Sequence, residues 1–246
     1  MNYLWYNNVV RNWVLEKENR IKFLQDLLQE SGAKGFVFGN SGGKDAALVG
    51  ILCKFATKNV FSVCLPCGTK QNFTSDIDHA RLLCEKFGIE NVIIDLTSVK
   101  EEFLKQIGGL SKNADANVAP RLRMTTLYAL AAEKNYLVAG TGNRSERYVG
   151  YFTKHGDGAC DFNVVSDLTV SEVYEFLRFL NCPAEIINKP PSAGLFEGQT
   201  DEGELGFSYA ELDEYLLIGK GSEEFAEKAE KLHITSEHKR RLPKTF

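Results

Sequence analysis

The sequence predicts an α/β fold in which a parallel sheet carries helices on both of its faces. The first observation is a set of short apolar runs with the length and composition of buried strands. The second is that stretches with helical spacing separate these runs, which implies right-handed crossovers between parallel strands. The third is that glycine-rich turns follow two of the runs directly, after Phe38 and after Ala139. Because ligands of parallel sheets bind beyond the carboxyl ends of strands, both turns lie where a site is expected.

Each element follows from these patterns in chain order. Residues 9–30 form a predicted helix, since apolar residues recur there at helical intervals. The predicted strands are "GFVFG" at 35–39, "VFSVCL" at 60–65, "NVIIDL" at 91–96 and "YLVAG" at 136–140. The predicted helices among them cover 44–57, 75–87, 98–107 and 120–134, and "LTVSEVYEFLRFL" predicts a later one. Pro120 suits the first turn of its helix, where a backbone N–H is not needed.

Length and composition narrow the class of protein. The chain has 246 residues and a formal net charge of −4, and we expect residues 1–246 to form one domain with a sizeable core. The acidic balance argues against nucleic acid as a partner. No apolar stretch approaches the roughly 18 residues that a membrane span needs. Six cysteines in so long a chain do not indicate a disulfide scaffold, and no signal-peptide pattern opens the chain, so we expect a cytoplasmic protein.

The stretch "FVFGNSGGKDAALVGIL" at 36–52 joins a strand to a helix through a glycine-rich turn. Such a turn offers backbone N–H groups and a positive dipole end to an anion, although it can also be a purely structural turn. The Walker A pattern does not fit, because three residues separate Gly39 from Gly43-Lys44 and Asp45 follows. Asp45 suits a turn that binds phosphate together with Mg²⁺, which favours carboxylate and phosphate oxygens. Helix capping is the alternative role for Asp45.

Other candidate sites carry weaker signals. The turn "GTGNRS" at 140–145 only approaches a dinucleotide fingerprint. Cys64 and Cys67 with His79 and Cys84 imitate zinc-ligand spacing, but His79 and Cys84 would point about 140° apart on a helix. A basic set lies near the strand ends and could neutralise a polyanionic ligand or remain at the surface: Arg121, Arg123, Arg144, Arg147 and Lys154.

The turn "SGGKDA" at 41–46 resembles the S-G-G-x-D-S pyrophosphate loop of the N-type ATP pyrophosphatases. Within that group the chain is similar to the ammonia-dependent NAD synthetases. The segments that carry this resemblance are "RLRM" at 121–124, "GTGNRSE" at 140–146, "GYFTKHGDGACDFN" at 150–163, "PPSAGLFEGQTDEGELGFSY" at 190–209 and "HKRRLP" at 238–243.

The resemblance implies a Rossmann-like, adenine nucleotide alpha-hydrolase-like fold and a specific reaction. ATP adenylates the nicotinate carboxylate of deamido-NAD with release of pyrophosphate, and ammonia then displaces AMP to give NAD. It implies ATP as co-substrate, Mg²⁺ as the metal and a homodimer as the assembly. A glutaminase domain does not fit this length, so nitrogen is expected as ammonia or from a separate partner.

The resemblance also implies roles for individual residues. The ATP-binding set comprises Gly39, Asn40, Ser41, Gly42, Gly43, Lys44, Asp45, Ala46, Thr141 and Ser192. Asp45 and Glu146 would hold Mg²⁺. The deamido-NAD set comprises Arg121, Lys154, Asp161, His238 and Lys239. Among all these residues, we assign catalytic roles to Lys44, Asp45 and Asp161.

Two departures from the family pattern bear on activity. Ala46 stands where the loop usually has a serine, and Val170 stands where relatives have an ATP-binding lysine. Since Lys44 adds a charge at a position that is often uncharged, we expect that the phosphate-binding cation has moved there. Two rival interpretations remain open on sequence alone. One is an N-type pyrophosphatase with a different substrate, and the other is a nucleotide-binding protein with reduced turnover.

Overall fold

The computed structural model describes residues 10–68, 73–189 and 200–246 of the chain. Four strands in these ranges form one sheet: β1 (Gly35–Gly39), β2 (Val60–Cys64), β3 (Glu90–Ile93) and β4 (Tyr136–Val138). All neighbours pair in parallel, in the order β3-β2-β1-β4. The predicted parallel α/β fold is confirmed.

The described helices alternate with the strands as the sequence predicts. In chain order they are α1 (Trp13–Ser31), α2 (Lys44–Ala56), α3 (Ser75–Phe87), α4 (Thr97–Ile107), α5 (Lys112–Ala116), α6 (Val118–Lys134), α7 (Arg144–Val149), α8 (Val170–Phe179), α9 (Ala184–Ile187), α10 (Asp201–Leu205), α11 (Tyr209–Ile218) and α12 (Glu223–Thr235), followed by a 3₁₀ turn at Glu237–Lys239. Pro120 lies in the first turn of α6, as predicted.

Three strands end earlier than their apolar patterns predict, and β2 does so by a single residue. After β3, the Asp95 carboxylate accepts a hydrogen bond from the Thr97 N–H at 2.8 Å, so a turn into α4 replaces the last predicted strand residues. After β4, Ala139 pairs with Phe162, and the Gly140 N–H donates to the Phe162 carbonyl at 2.8 Å. Hydrophobic runs therefore continue past the strand ends because those residues pack against later segments.

Successive side chains of β1 point to opposite faces of the sheet, and since they are apolar, both faces need helices to cover them. Phe36 and Phe38 are fully buried in one cluster together with residues of α2, and Val37 is buried in another with Leu127 of α6. A Cβ atom at Gly50 would lie 2.6 Å from the Phe38 ring. Glycine at that position lets α2 approach β1 closely, which sets the position of the turn that enters α2.

The C-terminal helices form a third apolar cluster beside the sheet. Val149 of α7 and Val170 of α8 are buried in it with Leu212 of α11 and Phe225 of α12. This packing carries the end of the chain back to the carboxyl ends of the strands, where the Lys239 ammonium donates to backbone carbonyls. Within the described ranges, none of the helices combines the length and the apolar character that crossing a bilayer requires.

Candidate active site

A cavity of about 650 Å³ opens at the carboxyl ends of the strands. The turn after β1 (Gly39–Ala46) and the turn after β4 (Ala139–Thr141) line one side of it. Asp201 and Glu204 of α10 and Lys239 line it from the C-terminal part of the chain. The site therefore lies where parallel sheets bind ligands, and both glycine-rich turns meet there.

The turn after β1 has the geometry of an anion site. Gly43 is the N-cap residue of α2, and no side chain among the described residues caps this helix start. The N–H groups of the first turn and the positive end of a 13-residue helix thus face the cavity mouth. Gly42 has a φ of +65°, and a Cβ atom there would lie 2.3 Å from the Asp76 carbonyl oxygen. The motif needs glycine at this position for both reasons.

Asn40 connects this turn to the strands beneath it. Its side-chain oxygen accepts from the Gly42 N–H at 3.0 Å, and its amide nitrogen donates to the Ser62 hydroxyl at 3.0 Å. Ser62 donates in turn to the side-chain oxygen of Asn91 at 2.8 Å. Asn40 is 4% exposed and Ser62 is 0% exposed. We call Asn40, Ser62 and Asn91 the relay. It connects the turn after β1 (Gly39–Ala46, called the phosphate turn below for its predicted ligand) to β2 and β3.

The two predicted metal ligands converge in the cavity. The Lys44 ammonium lies 2.8 Å from Asp45 Oδ2 and 3.8 Å from Glu146 Oε1. Asn143 contacts both acids, since its side chain donates to Asp45 Oδ1 at 3.1 Å and its backbone N–H donates to Glu146 Oε2 at 3.2 Å. The Asp45 carboxylate is thus engaged across the cavity, so the structure gives no support to the helix-capping alternative.

The electrostatics of this cluster follow from burial and charge. Burial lowers the pKa of Lys44, but the charges of Asp45 and Glu146 outweigh it, so the pKa of Lys44 lies above its usual value. Burial and then the Asp45 charge raise the pKa of Glu146, against the opposing effect of Lys44. Two buried acids that share one cation favour a further cation near them.

The donor set fits a Mg²⁺ ion that arrives with phosphates. Mg²⁺ in nucleotide sites is commonly held by one or two carboxylates plus phosphate oxygens, and Asp45 and Glu146 supply two carboxylates beside an anion-binding turn. In the described part of the chain, no cluster of three or more His, Cys, Asp or Glu residues could hold a metal by itself. The zinc interpretation of Cys64, Cys67, His79 and Cys84 is therefore not supported, and the cysteines are free thiols.

The other predicted ATP-binding residues lie around the same turn. Asn40, Ser41, Ala46 and Thr141 line the cavity, whereas Gly42 shapes the turn without lining it. Ser192 lies outside the described residues. Val170 is 4% exposed in the third apolar cluster and does not line the cavity, whereas Lys44 does. Lys44, rather than residue 170, thus places a positive charge beside the turn after β1.

The predicted deamido-NAD residues form a connected group beside the cavity. The Arg121 guanidinium donates to the Lys154 carbonyl at 3.2 Å, and the Lys154 ammonium donates to the His238 carbonyl at 2.7 Å. Lys239 donates to the carbonyls of Gly150 and Phe152 at 2.7 and 2.8 Å. In this group, Lys239 lines the cavity, and Arg121, Lys154 and His238 do not.

Asp161 lies at the end of β4, outside the lining of the cavity. Its carboxylate accepts from the Val138 N–H at 2.7 Å and from the Tyr128 hydroxyl at 3.2 Å. Burial, together with the Asp161 charge, raises the pKa of Tyr128 to about 12. Asp161 therefore holds the end of β4 against α6 and does not line the cavity. Its proposed catalytic role stays a prediction.

Sequence reasoning missed several polar groups that line the cavity. The Lys189 ammonium contacts Asp76 Oδ1 at 2.8 Å and donates to the Ser41 carbonyl at 3.1 Å, which fastens the phosphate turn to the start of α3. Asp157 accepts from the Thr153 N–H at 2.9 Å, and burial raises its pKa. No local motif singles out Lys189 or Asp76, because each acts through a partner distant in sequence. Asp157 lies in the segment 150–163 that carries the family resemblance, but the residues alone did not assign it a role.

Comparison with known proteins gives a consistent result. The family model of NAD synthase matches residues 16–243. The NH3-dependent NAD+ synthetase of Carboxydothermus hydrogenoformans is 42% identical over 94% of this chain and 97% of its own length. That of Syntrophomonas wolfei is 45% identical over 91% of this chain and 92% of its own length.

Solved structures agree with the sequence relatives. NMN synthetase from Francisella tularensis matches with a TM-score of 0.92 at 36% identity, covering 96% of this chain and 99% of that one. NH3-dependent NAD synthetase from Campylobacter jejuni matches with a TM-score of 0.80 at 31% identity, covering 96% and 100%. Since the family model spans most of the chain and the relatives are matched over nearly their full lengths, the chain belongs to the NAD synthase family.

Proposed function

We propose that the cavity carries out the family reaction in two steps, adenylation of the nicotinate carboxylate of deamido-NAD and attack of ammonia on the adenylate. Members of this family are ATP-using ligases of NAD biosynthesis, and the overall reaction of this chain is the ATP-dependent amidation of deamido-NAD to NAD. A free carboxylate is a poor electrophile, whereas an acyl adenylate carries AMP as a leaving group. The protein's part is then mainly positioning and charge stabilisation.

The observation that carries this assignment is the meeting of Asp45 and Glu146 beside the open N-terminus of α2. In our proposal the turn Gly39–Ala46 binds the ATP phosphates, and Asp45 and Glu146 hold Mg²⁺. A bound Mg²⁺ supplies charge neutralisation for the departing pyrophosphate. Lys44 adds a second positive group, and Thr141 lines the same end of the cavity.

The dinucleotide is proposed to bind toward Lys239 and the group of Arg121, Lys154 and His238. Arg123 also lines this side; its guanidinium donates to the Leu65 carbonyl at 2.9 Å, and burial lowers its pKa. A second cationic lining residue suits a ligand that carries two phosphates. Ammonia is itself the nucleophile, so the protein needs to supply none.

We also propose that residues 1–246 act as one domain, that two copies form a homodimer and that the enzyme works in the cytoplasm. Turns from the first half of the chain and Lys239 near its end line one cavity, which supports a single unit. No residue of α4 is buried, and its Val99, Phe103 and Ile107 are 48%, 43% and 48% exposed. A second copy that covers this apolar face is the proposed partner.

A second candidate substrate is the mononucleotide, nicotinic acid mononucleotide, with NMN as the product. The observation that favours it is the TM-score of 0.92 to the NMN synthetase of Francisella tularensis. Both substrates present the same nicotinate carboxylate, so the same acid pair and phosphate turn serve either reaction. The ratio of kcat/KM for the two substrates shows whether the site also accepts the mononucleotide and which substrate it prefers.

The test mixes pure protein with Mg-ATP, ammonium and either substrate, and detects the amide product by mass spectrometry and pyrophosphate by a coupled assay. We expect Asp45→Asn to abolish both products while the circular dichroism spectrum is retained. Asp26→Asn is the matched control, because Asp26 is a half-buried acid of α1 that pairs with Lys22 and does not line the cavity. No amide from either substrate with wild-type protein would refute the proposal and favour a nucleotide-binding role.

A further inference from the structure

We propose that Lys44 is an internal counter-ion that keeps the Asp45–Glu146 pair closed to a divalent cation until nucleotide arrives. The inference rests on the proposed role of these two acids as Mg²⁺ ligands. It adds the order in which the site is filled: metal binds with nucleotide and only weakly before it.

The orientation of the two carboxylates supports this role. One oxygen of each is held by Asn143, namely Asp45 Oδ1 at 3.1 Å and Glu146 Oε2 at 3.2 Å. The remaining oxygens, Asp45 Oδ2 and Glu146 Oε1, are the two that lie nearest Lys44 Nζ. A cation that binds both acids through the oxygens that Asn143 leaves open would therefore compete with the ammonium for them.

The surroundings of Lys44 hold its ammonium in place. The residue is 6% exposed, and its Nζ lies 6.0 Å from the Tyr174 ring centroid and 5.8 Å from the Tyr209 ring centroid. Aromatic faces and carboxylates both attract an ammonium. Turning Lys44 away from the acids without a new anionic partner would separate buried opposite charges, which is costly.

Charge balance makes nucleotide the expected trigger. Asp45, Glu146 and Lys44 together carry a net charge of −1, so a divalent ion alone would make the cluster positive and would lie close to the ammonium. Asp201 adds a further negative charge near Glu146 and accepts from the Tyr209 hydroxyl at 3.3 Å, but it does not remove the ammonium from the oxygens that face it. A triphosphate brings enough negative charge for both cations, and Lys44 can then exchange a carboxylate for a phosphate oxygen. Metal and nucleotide binding are thus positively coupled, and the coupling is reciprocal.

The experiment measures Mn²⁺ binding without nucleotide, from the loss of the free Mn²⁺ signal in electron paramagnetic resonance. We expect wild-type protein to bind Mn²⁺ weakly and Lys44→Met to bind it about tenfold more tightly or better. Lys54→Met is the matched control, since Lys54 lies in the last turn of the same helix and its ammonium donates to the Lys58 carbonyl at 3.3 Å. This control should match wild type.

Each outcome decides the inference. Equal Mn²⁺ affinity of wild type and Lys44→Met would overturn it, and so would tight nucleotide-free binding by wild type, a measurement that does not depend on the variant folding. If Lys44→Met folds only when Mn²⁺ is present, a rise in its melting temperature with Mn²⁺ that wild type lacks supports the proposal. The double variant Asp45→Asn/Lys44→Met should lose the gained affinity. If it does not, the acid pair is not the metal site, and the proposed metal assignment fails instead.

Discussion

Replacing Ser62 by alanine removes the central hydroxyl of the Asn40–Ser62–Asn91 relay. That hydroxyl accepts from the Asn40 amide at 3.0 Å and donates to Asn91 at 2.8 Å, in a place where Ser62 is fully buried. No water can replace it without a cavity that alanine alone does not open. We therefore expect a loss of both folding stability and ATP binding.

The magnitude follows from the partners that remain. A buried polar group left without its hydrogen bond costs about 1–3 kcal/mol. Asn40 keeps a contact with the Cys84 sulfur at 3.7 Å, and Asn91 keeps one from Cys64 at 3.5 Å, and both are weak. We expect a total loss of about 2–3 kcal/mol in the free energy of unfolding. Because Asn40 also anchors the Gly42 N–H, KM for ATP should rise about fivefold or more.

Urea unfolding measures the predicted loss of stability, and steady-state kinetics measures the predicted rise in KM for ATP. The urea midpoint of Ser62→Ala should fall by about 1 M. Ser31→Ala is the control, since Ser31 is exposed and donates to the Leu27 carbonyl of its own helix, and it should stay within about 0.5 kcal/mol of wild type.

A double variant separates stability from positioning. Asn40→Leu with Ser62→Ala replaces both buried partners by apolar groups, which should recover part of the lost stability. It leaves the Gly42 N–H without its acceptor, so KM for ATP should stay raised. If Ser62→Ala has wild-type stability and KM, or if the double variant restores both, the relay does not position the phosphate turn.

Three further predictions concern the turn, the assembly and the acid response. Gly42→Ala should raise KM for ATP about tenfold or more, because the added Cβ displaces the turn. Gly32→Ala is the control: Gly32 has a similar positive φ, but no described atom lies within 4 Å of an added Cβ, so KM should stay unchanged. Equal KM values for the two variants would contradict this prediction. Phe103→Glu should convert a dimer to a monomer in light scattering coupled to size exclusion, and a wild-type monomer would refute the proposed homodimer. Burial raises the pKa of Asp167, but the hydrogen bond from Arg20 and the charges of Arg20 and Arg11 outweigh burial, so the pKa is lowered. The stabilisation from the Asp167 carboxylate is therefore present at neutral pH and is lost as pH falls through the folded-state pKa. The stability difference between wild type and Asp167→Asn, measured by urea unfolding, should therefore shrink at acidic pH, and a constant difference would count against it.

Sequence patterns predicted the fold and the phosphate turn because both depend on local chemistry. Apolar runs of strand length separated by helical spacing require a parallel sheet with covered faces, and all four predicted strands are present. The glycines of the turn after β1 are needed for a backbone shape that the residues themselves dictate, as Gly42 shows with its φ of +65°. The resemblance to a known family then supplied the partner acids and the reaction.

Tertiary structure alone decided which distant groups share the cavity. Asp45 and Glu146 meet because β1 and β4 are neighbours in the sheet, although β4 is the last of the four strands in the sequence. No local spacing of residues predicts that strand order. The same holds for Lys189, which reaches the Ser41 carbonyl, and for Asp161, whose carboxylate holds β4 while the cavity lies elsewhere. Hydrophobic periodicity determines which face of an element is buried, but the contacts made by a polar side chain depend on which loops the packed elements bring to the same edge.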